Sequence, residues 1–175
     1  MNQVCGVIDL DGYLINKTFI VREMGWCTYK CTETYSYHCF PANPFPKNDL
    51  KARKTIAYVY HRVHGLAYYP KYRCRSPKPW ENDFQKIYGK QPKDRPFVAY
   101  KGGHFEKDFL NRLGIPSINL QIVGCPKFDN MTRLETITSC GHHLNPNKHH
   151  CPKVECFHFT KWMLSNLVKS NILDG

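Results

Sequence analysis

The sequence predicts an α/β fold, a mixed β-sheet flanked by α-helices. Three observations carry this. Short apolar runs of strand length alternate with longer stretches of helical periodicity, and the prolines and glycines fall largely between them. The third is composition: 42% of the 175 residues are hydrophobic, an ordinary share for one core, so residues 1–175 read as a single domain.

The elements follow in order. Residues 4–10, VCGVIDL, make a buried strand, DGYLINKT a turn, and FIVREMGWCTY the antiparallel neighbour. KCTETYSYHCF offers a third strand. PANPFPKND is a loop, because its prolines remove hydrogen-bond donors and fix the backbone. Asn48 or Asp49 caps a helix over LKARKTIAYVYHRVHGL, in which Ile56, Val59, Tyr60 and Val63 share one stripe and Lys51, Arg53, Lys54 and Arg62 lie largely elsewhere. YYPKYRCRSPKPW interleaves aromatics with cations, as a nucleic-acid-facing loop does, and leads into a short helix, ENDFQKIYG. RPFVAYKGG is a further strand, and HFEKDFLNRLG a helix with Phe105, Phe109 and Leu113 in its stripe and Gly114 at its end. IPSINLQIV is the last strand and KFDNMTRLETITS a helix candidate. VECFHFTKWMLSNLVKSNIL closes the chain as a long amphipathic helix.

Charge narrows the function. Twenty-five Lys and Arg against fourteen Asp and Glu give a net charge of +11, which favours partners that carry phosphate. No basic amphipathic helix of the membrane-lying kind and no run of about 20 apolar residues stands out, so nucleic acid is the expected partner and a membrane is not. The opening residues lack a secretory pattern, so an intracellular protein, nuclear or cytoplasmic, is expected. In that setting nine cysteines point to metal ligation or buried thiols rather than disulfides.

Two segments carry chemistry. Asp9 and Asp11 lie two apart on a strand, so their carboxylates share one face and can share divalent cations. Residues 140–159, CGHHLNPNKHHCPKVECFHF, hold three cysteines and five histidines around Glu155. Zinc suits such a donor set. Cys140 and His143 form a C-x₂-H pair, Cys151 and Cys156 complete four ligands, and His149 is the substitute, making 139–158 a zinc-stabilised loop near the C-terminus. Glu23 reads as a salt-bridging strand residue.

The stretch VIDLDGYLINKTFIVREMGWCTY resembles the opening of DEDDh-type 3′→5′ exonucleases of the ribonuclease H-like superfamily. KGGHFEKDFL resembles that family's next element, with Glu106 in the acid's place and Gly102 where an Asn is usual. HCPKVE resembles its last, a His followed five residues on by an acid. The resemblance implies a ribonuclease H-like fold in which Asp9, Asp11, Glu106 and Glu155 hold two Mg²⁺ or Mn²⁺ ions and His150 is the general base, with His149 its competitor. The Glu in the third acid's place and the zinc near the catalytic His are partly similar to coronaviral proofreading exonucleases. Lys101, and Lys or Arg from residues 71–78, are candidate phosphate contacts. Two alternatives stand beside this reading: a catalytically inactive nucleic-acid-binding module, and an endonuclease on the same fold.

Overall fold

A long antiparallel hairpin forms the centre of the protein, β1 (Val4–Ile15) against β2 (Thr18–Thr28). The computed structural model describes residues 2–70, 80–133, 135–145 and 148–173. The basic, aromatic connection at 71–78, expected to meet nucleic acid, lies outside these residues.

The hairpin is longer than the sequence suggests, and the turn expected over residues 11–18 shrinks to Asn16 and Lys17. Both have positive φ, 48° and 66°, as a tight hairpin turn requires. The strand persists because Tyr13 and Ile15 alternate inward against Ile20 while Leu14 faces out. A bulge interrupts the ladder directly after the acid pair. Asp11 faces Glu23 but Gly12 faces Val21, so Arg22 is the extra residue on β2. The bulge turns Arg22 into the interior, where its guanidinium donates to the carbonyls of Cys39 and Ala67. Gly12 is needed there: a Cβ would stand 2.1 Å from the Ile20 carbonyl oxygen.

β3 (Thr34–His38) pairs antiparallel with β2, while β4 (Phe97–Tyr100) and β5 (Ser117–Asn119) extend the other side in parallel, giving the order β3-β2-β1-β4-β5. Among the described residues four helices flank this mixed sheet: α1 (Leu50–Arg62), α2 (Trp80–Gly89), α3 (His104–Arg112) and α4 (Pro152–Leu173). None is long and apolar enough to cross a membrane.

On one face, Phe84 of α2 and Phe109 and Leu110 of α3 pack over Ile8, Leu10, Met24 and Trp26. On the other, Cys156, Phe159 and Met163 of α4 cover Val7, Cys27 and Ala99. A third cluster joins the hairpin tip to α1. Asp49 caps α1, accepting from the Ala52 amide, and also accepts from Asn16 of the hairpin turn. Two sequence expectations fail here. α1 ends at Arg62, leaving Val63 exposed as its cap rather than on the buried stripe. Among the described residues, the helix expected over KFDNMTRLETITS is only a 3₁₀ turn at Phe128–Asn130; there Lys127 and Met131 are extended.

Candidate metal centre and acidic pole

Strand alternation carries Asp9, Asp11 and Glu23 to the α4 side of the sheet, with Asp11 and Glu23 direct cross-strand neighbours. α4 can approach them because Gly25, opposite Asp9, has no side chain. A Cβ there would stand 2.3 Å from the Pro152 backbone. The first turn of α4, with Glu155, therefore rests over the acid pair. Glu106 arrives from the first turn of α3, buried, its Oε1 accepting from the Leu10 amide at 3.2 Å.

These carboxyls sense one another. Burial first, then repulsion from Glu155, Glu106, Asp11 and Glu23, hold the Asp9 carboxyl well above its ordinary range. Asp11 is raised by burial and by Glu155 and Glu23, against the opposing influence of His143 and His150. Burial also raises Glu106, although the hydrogen bonds from its own amide and from Leu10 lower it. One Asp11 oxygen, Oδ2, is buried without a hydrogen-bond partner. His150 bonds through Nδ1 to Glu155, while its Nε2 lies 3.8 Å from exposed Asp129. The Glu155 bond outweighs burial and raises the imidazole.

Beside this pole stands a different set. Glu23, Cys140, His143 and Cys151 bring their donor atoms within 4.8 Å of one another, and this group can hold a metal ion. His143 Nε2 and Glu23 Oε2 approach to 2.9 Å, both fully buried. His143 donates through Nδ1 to the His64 carbonyl, which fixes its tautomer and leaves Nε2 for a ligand. Burial lowers the imidazole, but contacts with Cys151 and Glu23 overcome it and raise it to about 10. The two thiols share a proton: Cys140 is raised and Cys151 is drawn down to about 3, by the Cys140 hydrogen bond and by His143. Such a thiolate, a neutralisable imidazole and a carboxylate suit a tetrahedral S/N/O site.

The fourth ligand expected from the sequence was Cys156. It is instead fully buried in the core under α4, on the helix face that packs against Val7 and Cys27. Glu23 stands in its place in the group that can hold a metal ion. His149, the substitute ligand and the competing base, is occupied elsewhere: its Nδ1 accepts from the Asn145 amide at 3.0 Å and its Nε2 lies 3.3 Å from the His61 carbonyl. Lys101 follows β4 directly, half-buried and near enough to Cys125 to oppose the burial that raises that thiol to about 11. The signal for Glu23 was present in the register, since any hairpin pairing Asp11 with residue 23 sets a carboxylate beside the acid pair. Compared with known protein families, curated proteins and solved structures, the chain matches none.

Proposed function

We propose that this protein is a metal-dependent nuclease that removes nucleotides from the 3′ end of DNA or RNA, on a ribonuclease H-like plan. One observation carries the reading: four acids from three distant parts of the chain, Asp9, Asp11, Glu106 and Glu155, gather at one pole of the sheet, where burial and the neighbouring acids raise Asp9, Asp11 and Glu106. Buried like charges are costly without cations among them. All the donors are carboxylate oxygens, which suits Mg²⁺ or Mn²⁺.

When bound, two such ions would polarise a water and neutralise charge at the scissile phosphate. The chain's own residues do the rest. Asp9 and Asp11 present carboxylates from a rigid strand, and Glu106 is fixed by the Leu10 amide. Glu155 holds His150 by Nδ1, which leaves Nε2, on a partly exposed ring, to take the proton of the attacking water. The Glu23, Cys140, His143 and Cys151 group would hold structural Zn²⁺ in this reading. With Cys151 adjacent to His150 in sequence, these ligands would anchor the loop presenting the base once the ion is bound. Free, mostly buried cysteines throughout the described residues fit a reducing, intracellular setting.

The test is hydrolysis of 3′- and 5′-labelled oligonucleotides, DNA and RNA, with Mg²⁺ or Mn²⁺. The expected result is stepwise loss from the 3′ end that Asp9→Ala abolishes. Internal cuts would favour an endonuclease. Identical backgrounds in both proteins, with oligonucleotide binding intact, would leave the binding module that the +11 charge also supports.

A further inference from the structure

The register of β3 on β2 sets two polar side chains beside Glu23. Ser36 pairs with Gly25 and His38 with Glu23, and strand alternation points both to the side of the sheet that Glu23 faces. Gly25 carries no side chain to stand between them, and the Ser36 hydroxyl donates to Glu23 Oε1. A serine hydroxyl has one proton. With that proton given to the carboxylate, the 3.2 Å contact between Ser36 Oγ and His38 Nε2 has the imidazole as its donor. The polarity of the chain is thus fixed, from His38 through Ser36 to Glu23. The His142 ring stacks at its far end, with its centroid 3.8 Å from that of His38, and His142 directly precedes His143.

The two Glu23 oxygens therefore differ. Oε2 lies 2.9 Å from His143 Nε2, the imidazole nitrogen left for a ligand. Oε1 takes the Ser36 hydroxyl and lies 3.8 Å from the Cys151 sulfur. A cysteine that binds metal does so as thiolate and has no proton to give, so on loading Ser36 is the donor that stays on Oε1. Glu23 is fully buried, and a buried carboxylate needs both oxygens engaged.

We infer that Ser36 is a positioning residue of the metal centre: by occupying Oε1 it presents Glu23 to the ion through Oε2 alone. The inference rests on reading Glu23, Cys140, His143 and Cys151 as a zinc centre, and not on hydrolysis. Ligation through one oxygen keeps the site at four donors, the tetrahedral number zinc takes in closed sites. Without Ser36 the carboxylate is free to turn and to bind through both oxygens.

Competition for Zn²⁺ against a chromogenic chelator, on the full chain stripped of metal, tests it. Ser36→Ala should weaken zinc binding about 10–100-fold, the usual cost of losing a partner that orients a metal ligand, and Ser36→Thr, which keeps the hydroxyl, should restore it. A double-mutant cycle separates an effect through Glu23 from one of packing: in Glu23→Gln, Ser36→Ala should change zinc affinity no further. Co²⁺ gives a second readout. Ser36→Ala should weaken the visible absorption of four-coordinate Co²⁺ while the sulfur charge-transfer bands from Cys140 and Cys151 remain. Zinc affinity that is unchanged in Ser36→Ala, or that falls by the same factor with and without Glu23→Gln, overturns the inference and leaves the metal centre standing. Wild type that takes up neither Zn²⁺ nor Co²⁺ overturns both. Zinc binding that depends on Ser36 through Glu23, in a protein that hydrolyses no oligonucleotide, upholds the inference while the nuclease reading falls.

Discussion

The two side-chain clusters that meet at the hairpin obey opposite electrostatics. Glu23, Cys140, His143 and Cys151 mix carboxylate, thiolate and imidazolium, and their donor atoms close to within 4.8 Å. Asp9, Asp11, Glu106 and Glu155 are all acids. Among the described residues no three of them close as tightly, and the structure raises Asp9, Asp11 and Glu106 instead. A set that neutralises itself is a scaffold element; a set that repels itself stores affinity for cations. Glu23 belongs to the first by its ligand distance and touches the second through Asp11, its cross-strand neighbour.

Breaking the acidic set should have the largest effect on activity and the reverse effect on stability. Asp9→Asn should lower hydrolysis by about 10³-fold or more, the scale of losing a metal-held transition-state contact. In chelator the same variant should unfold at higher denaturant than wild type, by about 1–3 kcal/mol, because one buried like charge is gone. Adding Mn²⁺ should raise the melting temperature of wild type but not of Asp9→Asn. A variant that is inactive and also less stable without metal would show that Asp9 serves packing alone. Next in size, His150→Gln should cost about 10²–10⁴-fold in kcat with little change in KM, as expected for a general base. An equal loss in substrate affinity would instead make His150 a binding group.

Breaking the mixed set should act on stability first. Cys140→Ser and Glu23→Gln should each lower tightly held zinc below half an equivalent, measured by metal analysis, and Cys140→Ser should destabilise the protein by several kcal/mol. Cys156→Ser separates the two expectations for the fourth ligand: a hydroxyl in the α4 core should cost stability while zinc content stays at one equivalent. Zinc lost from Cys156→Ser but kept in Glu23→Gln would restore the sequence-based ligand set.

How much of this was legible in the sequence depends on whether local pattern or long-range register decided it. The mixed sheet, the α1 cap at Asp49 and the helices around Phe84 and Phe109 followed from periodicity and caps, which act within a few residues. The length of the hairpin did not. DGYLINKT is rich in turn formers, yet pairing with β2 and the packing of Tyr13, Ile15 and Ile20 against α1 hold it extended. The same limit explains Cys156 and Glu23. Spacing within 140–156 shows which donors are near in sequence, whereas the ligand set was decided by which face of α4 meets the sheet and by a bulge at Arg22 that fixes Glu23 opposite Asp11. KFDNMTRLETITS has helical composition, but among its described residues only Phe128–Asn130 form a short 3₁₀ turn, where Phe128 meets His150 and His158.

The smallest effect expected lies between the two ligand sets and concerns acid. His64 is buried beside Tyr13, with Nδ1 accepting from the Leu66 amide and Nε2 donating to the Gly12 carbonyl at the bulge. With Nδ1 engaged as an acceptor, a second proton would face an amide N–H, and burial lowers the imidazole to about 4 despite the Gly12 bond that favours the charged form. An unfolded histidine titrates near 6.5. Between about pH 6.5 and 4 the unfolded chain therefore binds a proton that the native state refuses, so this contribution is full above 6.5 and is lost as pH falls through the window. The raised carboxyls of Asp9, Asp11 and Glu106 work in the other direction, since protonating them relieves repulsion in the folded state, so only a difference between variants isolates the histidine. Wild type should lose stability relative to His64→Asn by up to about 3 kcal/mol on going from pH 7 to pH 4. Denaturation curves for the two proteins that stay parallel across that range would show that His64 is already charged in the fold, and that its bonds to Gly12 and Leu66 do not hold the bulge from which Asp11 and Glu23 face each other.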